Sequence, residues 1–185
     1  MDDAALARAV VRMSHQIRES SGDLSCLTLF GVRTRGVPLA HRLAAALEFT
    51  SDVRPPVHEL DIGPYRDDLP RSASTSKPSA PLATPPVVEG RWVVLVDDVL
   101  YTGRTARAAL DALVDFGRPA RVELAVLVDR GRRELPIKAD YVGMNLPSAS
   151  DEVVQVRLIE TDGADEVLLL KADRETRLQF TNRRE

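Results

Sequence analysis

Cysteine is all but missing from this chain: Cys26 stands alone among 185 residues. One thiol excludes an internal disulfide and a thiolate zinc site, and its apolar surroundings suggest a small buried residue in a strand. Histidine is nearly as scarce, and His15, His41 and His58 show no metal-ligand spacing. His41 is expected on a solvated helix face. No apolar run approaches the length that crosses a bilayer. The opening Met1-Asp2-Asp3 is acidic rather than basic, which argues against a secretory signal and for the reducing cytoplasm. A strong charge of either sign is missing too. At a net −3, whole-chain electrostatics give no support to non-specific nucleic-acid binding, although a local basic face stays open. Neither a Gly-x4-Gly-Lys-Ser/Thr phosphate loop nor a Gly-x-Ser-x-Gly nucleophile elbow occurs.

What remains is 44% apolar and 29% charged, ordinary for one soluble domain spanning 1–185. Leu6 to Ser20 reads as an amphipathic helix with Leu6, Val10, Met13 and Ile17 on one stripe. A short strand, Leu24 to Phe30, precedes a helix over Val37 to Leu47 whose first turn holds Pro38. Val57 to Ile62 is a further strand. Residues 71–88 mix prolines and serines and can form neither helix nor central strand, so a long mobile lid loop is expected. Then come strand Arg91 to Asp97, a helix from Gly103 to Phe116 with Ala106, Ala109, Leu110 and Leu113 facing the sheet, and strand Val122 to Val128. Strand–helix alternation predicts an α/β fold with a mostly parallel central sheet and ligands at its carboxyl ends. Beyond Asp140 the sequence is helix-poor, which suggests a small β-rich appendage, and residues 173–185 form a charged tail expected to fray.

Three loops follow three of these strands. Arg33-Thr34-Arg35-Gly36 offers two guanidiniums in a tight turn, donors enough for a pyrophosphate. In the second, Tyr65 and Arg66 sit at the hinge of the lid. The third is the most informative: an apolar run, Val93 to Val96, ends in Asp97 and Asp98, and Val99-Leu100-Tyr101-Thr102-Gly103-Arg104-Thr105 leads into a helix. A helix start presents unpaired N–H groups and partial positive charge, suited to a phosphate. Two carboxylates just before it can accept hydrogen bonds from a ribose cis-diol. Together they ask for a ribose 5-phosphate.

That run resembles the signature of the type I phosphoribosyltransferases. Together with Gly31 to Ala40, Tyr65-Arg66-Asp67-Asp68-Leu69 and Leu127 to Ile137, it resembles the bacterial pyrimidine operon attenuation regulators. The resemblance covers about Leu6 to Leu170. It implies a type I phosphoribosyltransferase fold: a mostly parallel central sheet flanked by helices, a small β-rich hood and a long flexible loop. It also implies a uracil phosphoribosyltransferase that makes UMP from uracil and phosphoribosyl diphosphate. The same protein would bind pyrimidine operon leader mRNA under UMP or UTP control, as a homodimer or larger assembly. By resemblance, Asp97 and Asp98 would hold the ribose and residues 101–105 the 5-phosphate. Thr34 and Arg35 would bind pyrophosphate, in a loop that in this fold often has a non-proline cis peptide. Tyr65 and Arg66 would belong to the lid, and Asp129 and Arg130 to a hood over the base. Magnesium would arrive with phosphoribosyl diphosphate, with no direct protein ligand.

Departures from the family fall mainly on the surface it offers to RNA. Arg132 stands where a histidine is usual, Lys138 where an arginine is, Met144 where a lysine is common, and Val11 in place of a threonine. Arg12, His15, Arg132, Arg133 and Lys138 keep a positive group there. Two alternatives stay open: a nucleotide-sensing RNA-binding regulator without catalysis, and a plain uracil salvage enzyme without RNA binding.

Overall fold

The computed structural model describes residues 1–21, 23–66, 86–149 and 151–171. Helix α1 (Asp3–Ser21) starts where the Asp2 carboxylate accepts the Ala5 amide at 2.8 Å, a side-chain N-cap. Its apolar stripe, Leu6, Val10, Met13 and Ile17, is buried as the periodicity predicts. Then follow β1 (Leu27–Val32), α2 (Gly36–Ser51), β2 (Val57–Leu60), a single 3-10 turn (Gly63–Tyr65), β3 (Trp92–Leu100), α3 (Arg104–Val114) and β4 (Arg121–Asp129). β5 (Tyr141–Asn145), β6 (Glu152–Arg157), the short α4 (Ile159–Asp162) and β7 (Glu166–Lys171) complete the described chain.

Five strands form one parallel sheet in the order β2-β1-β3-β4-β5, and β6 with β7 makes a separate antiparallel hairpin. The central strands are apolar at nearly every position because both faces are covered. Leu27, Leu29, Val94 and Val96 face one core with α1, α2 and the hairpin's Val154, Val156 and Val167. Phe30, Val32, Val93 and Leu95 face the other with α3. The hairpin closes on the chain start, where Met1 and Val167 exchange two backbone hydrogen bonds of 2.9 Å.

Several expectations need correction. Tyr141 to Asn145 is no appendage: it is the fifth strand of the main sheet, reached from β4 by a helix-free crossover. Tyr141 is fixed there because its hydroxyl donates to the buried Glu123, which also accepts the Trp92 indole N–H. The β-rich appendage is therefore β6–β7 alone. Cys26 lies half-buried in the turn before β1, not in the strand. On α3, Leu110 is exposed and Ala108 buried, since the helix packs through small alanines. Pro86 and Val88, placed at the end of the lid, are buried, and Val88 belongs to the α3 core. The rest of the lid and the tail lie outside the described residues. Among the described residues no helix is long and apolar enough to cross a membrane.

Candidate active site

The sheet order makes the site. From β1 the chain moves outward to β2, then returns past β1 to β3, so the crossovers diverge between β1 and β3. In open parallel sheets such a switch point leaves a crevice outside the strands' carboxyl ends. A cleft lies here, lined by Val32, Arg33, Thr34, Arg35, Ile62, Arg66, Asp97, Asp98, Val99 and Thr105. All three loops singled out in the sequence thus meet in one place.

The acid pair sits within β3, which runs on to Leu100 rather than stopping at the first carboxylate. Asp97 is buried and Asp98 half-buried. Asp97 accepts the Asp98 amide at 2.9 Å and Asp98 the Val99 amide at 2.8 Å, so both carboxylates are steadied by the backbone that carries them. The chain then turns through Gly103, whose φ of 94° favours glycine, and α3 begins with no side-chain cap. Of its first-turn amides, that of Arg104 reaches the Thr102 hydroxyl at 3.4 Å, and a helix start of this kind suits an anion. Leu135 and Ile137 pack against Gly103 from behind. Leu100 is buried in the core, and Tyr101 lies under the Arg130 guanidinium at 3.9 Å. Of the 99–105 run, the cleft wall takes only Val99 and Thr105.

Across the cleft, the Arg33–Thr34 peptide is cis. The turn can pack tightly because Gly31 and Gly36 stand against each other and Gly36 against the Val96 carbonyl, where any Cβ would collide. Arg33 and Arg35 line the cleft, and part of each guanidinium is held by acids outside its lining. Arg33 pairs with Glu59 and, at 3.0 Å, with Asp61. Arg35 donates from Nε and Nη2 to Asp162 at 3.0 and 2.8 Å. That pairing, more than a smaller attraction from Asp98, holds the Arg35 guanidinium above its ordinary range, and it holds the Asp162 carboxyl well below the usual carboxylate range. Tyr65 points elsewhere: its hydroxyl donates to Asp115 at the end of α3, and its pKa is pushed up to about 12, chiefly by that bond. Arg66, next in sequence, lines the cleft.

Of the residues assigned to the hood and the RNA face, Asp129 and Arg133 tie the β4–β5 crossover together, and Arg130 reaches the residues after β5. Asp129 accepts the Gly131 amide at 2.8 Å and Arg133 Nη2 at 2.6 Å. Arg130 is buried and donates to Ser148, Ala149 and Glu152. Arg133 donates further to the carbonyls of Tyr101, Gly131 and Ile137. Neither Asp129 nor Arg130 lines the cleft. Arg12 donates to the Gly143 carbonyl, while His15, Arg132 and Lys138 are exposed. Sequence reasoning missed the hairpin's share, Asp162, Gln155 and Arg157, which border Arg35 around an adjoining cavity. No local signal could have found it, since Asp162 lies 127 positions from Arg35.

The cleft therefore sets paired carboxylates and an uncapped helix start opposite an arginine-rich turn. The pattern of the phosphoribosyl transferase domain family matches residues 2–160. The Bifunctional protein PyrR of Chloroflexus aurantiacus is 54% identical over 172 residues, covering 90% of this chain and 91% of that protein. That of Deinococcus deserti is 57% identical over 163 residues, covering 88% of each. Among solved structures, the hypoxanthine phosphoribosyltransferase of Trypanosoma cruzi superposes with a TM-score of 0.68 at 19% identity, over 94% of this chain and 95% of that one; so distant a likeness shows the shared fold alone. By domain pattern, by fold and by identity to these relatives over nine-tenths of its length, the chain belongs to the phosphoribosyl transferase family and, within it, to the bifunctional PyrR proteins.

Proposed function

We propose that this protein converts uracil and phosphoribosyl diphosphate to UMP and diphosphate in the cleft. We further propose that, on another face, it binds pyrimidine operon leader mRNA under UMP or UTP control, working in the cytoplasm as a homodimer or larger assembly. The observation that carries the catalytic reading is the meeting of Asp97, Asp98, the α3 start and the Thr34–Arg35 turn at the switch point of the sheet. PyrR membership supplies the pyrimidine.

The roles follow from chemistry. Asp97 and Asp98 accept hydrogen bonds from the ribose hydroxyls, and the backbone amides of residues 102–105 take the 5-phosphate. Thr34 and Arg35 receive the pyrophosphate with multiple donors. N1 of uracil displaces that group at the anomeric carbon. The transition state gathers positive charge on the sugar and negative charge on the leaving group, so alignment and charge stabilisation suffice without a side-chain nucleophile. Among the described residues no group of three or more His, Cys, Asp or Glu side chains could cage a metal. The two neighbouring carboxylates nevertheless suit magnesium, which is commonly held by one or two carboxylates plus substrate phosphates. Bound with phosphoribosyl diphosphate, magnesium would offset charge on the pyrophosphate.

For RNA, the reading rests on Arg12, His15, Arg132, Arg133 and Lys138. One observation favours a second reading, a salvage enzyme with a weakened RNA grip: Arg133 and Arg12 both donate to carbonyl groups of the chain itself. A uracil–phosphoribosyl diphosphate assay, with hypoxanthine and guanine as controls, tests the catalytic half. UMP from uracil alone is expected, and bound UMP without turnover would leave only a sensor. A salt titration of leader-RNA binding tests the other half.

A further inference from the structure

The arginines of the Arg33–Gly36 turn are anchored by acids that do not themselves line the cleft. Asp162 belongs to the hairpin's α4 turn. It takes the Nε–Nη2 edge of Arg35 in a bidentate pair, which leaves the Nη1 end for a ligand in the cleft that Arg35 lines. Asp162 is itself fixed, accepting the Leu158 amide at 3.1 Å and the Thr161 hydroxyl at 2.7 Å. The turn that carries it is fastened to α2, where Arg42 donates to both Glu160 and Asp165 at 2.6 to 2.9 Å. Arg33 is held by two acids: Glu59 on β2 accepts from Nε and pairs with Nη2, and Asp61, just past β2, holds the Nη1 end. One oxygen accepts Arg33 Nη1, and the other accepts the Gly63 amide, both at 3.0 Å. That second bond ties the arginine to the 3-10 turn that leads to Arg66.

We propose that Asp61 and Asp162 are positioning residues that aim the two guanidiniums of this turn at the pyrophosphate group. The inference rests on the reading of the cleft as a phosphoribosyl diphosphate site. A free arginine side chain samples many rotamers, and ordering it on binding costs affinity. A fork already held by a carboxylate on one edge presents its remaining donors in a fixed direction. The arrangement also places the aim of each arginine under a different element, β2 for Arg33 and the hairpin for Arg35.

The test measures magnesium pyrophosphate and UMP binding by calorimetry, alongside steady-state kinetics, for the full chain and for Asp162→Asn and Asp61→Asn. Each substitution should weaken pyrophosphate binding and raise KM for phosphoribosyl diphosphate about tenfold, the worth of one charge-assisted hydrogen bond. UMP affinity and KM for uracil should stay within about twofold of the parent, because UMP carries no pyrophosphate. Because the two acids hold different arginines, the double variant should show the product of the single effects. Unchanged pyrophosphate binding would overturn the proposal. So would tighter binding, which would make Asp162 a competitor of the anion, or a parallel loss of UMP. If Asp162→Asn fails to fold, Asp61→Asn on its separate element decides. A parent chain that binds pyrophosphate yet makes no UMP would defeat the catalytic reading and leave this inference standing.

Discussion

At the scale of the residue, the site depends on groups with little freedom. Asp97 and Asp98 are steadied by backbone amides, so replacing either with asparagine should keep the fold and remove the acceptor charge that a ribose needs. We expect Asp97→Asn and Asp98→Asn each to lower kcat/KM for UMP synthesis about a hundredfold, with melting temperatures near the parent's; near-parental turnover would refute the ribose assignment. Gly36 works by lacking a side chain. An added Cβ would meet the Val96 carbonyl, a backbone atom that cannot swing aside. Gly36→Ala should therefore destabilise by about 2–3 kcal/mol, read from urea midpoints. Arg133 teaches a different lesson. A cation in a basic run reads as an RNA contact, yet its donors close the crossover onto residues 100–101. Arg133→Ala should impair UMP formation and RNA binding together.

At the scale of the element, the hairpin matters most. Glu160 and Asp165 face Arg42 of α2, and Asp162 faces Arg35 just before it; these hydrogen bonds hold each carboxyl below its ordinary range. A pKa lower in the folded than in the unfolded chain means that the stabilisation is fully present above the unfolded value, near pH 4 to 4.5, and fades as pH falls through the folded one. Arg42→Met should thus be less stable than the parent at pH 7, and the gap should narrow below about pH 5. Denaturation midpoints at pH 7, 5 and 3.5 would check this; a constant gap would show that the ion pairs contribute nothing. The β4–β5 connection belongs at this scale too. Parallel strands are usually joined through a helix, and here residues 130–140 cross as coil held by Asp129 and Arg133. With no helical period to mark a crossover, Tyr141 to Asn145 could not be read as a sheet strand.

On the scale of the whole molecule, two functions require two surfaces. The cleft opens at the carboxyl ends of β1 and β3, while His15, Arg132 and Lys138 are exposed and line no part of it. Arg132→Ala and Lys138→Ala should each weaken leader-RNA binding and reduce the slope of log affinity against log salt by about 0.7, as expected per lost phosphate contact on a single strand. UMP synthesis should be unaffected. Slopes that stay constant would place the RNA elsewhere.

Much of this was legible in the chain. The order of α1 through β4, the acid pair, the phosphate turn and the arginine loop all follow from periodicity and residue chemistry, because each is a local property of ten or so consecutive residues. Folding alone decided which of those segments meet. Parallel pairing brought β1 beside β3 and so made a single cleft from loops more than sixty positions apart. A long-range ion pair set Arg35 against an acid 127 residues away, and packing turned Arg133, one cation of a basic run, onto backbone carbonyls. Charge names what a side chain can bind, but only packing settles whether its partner comes from the protein or from a ligand.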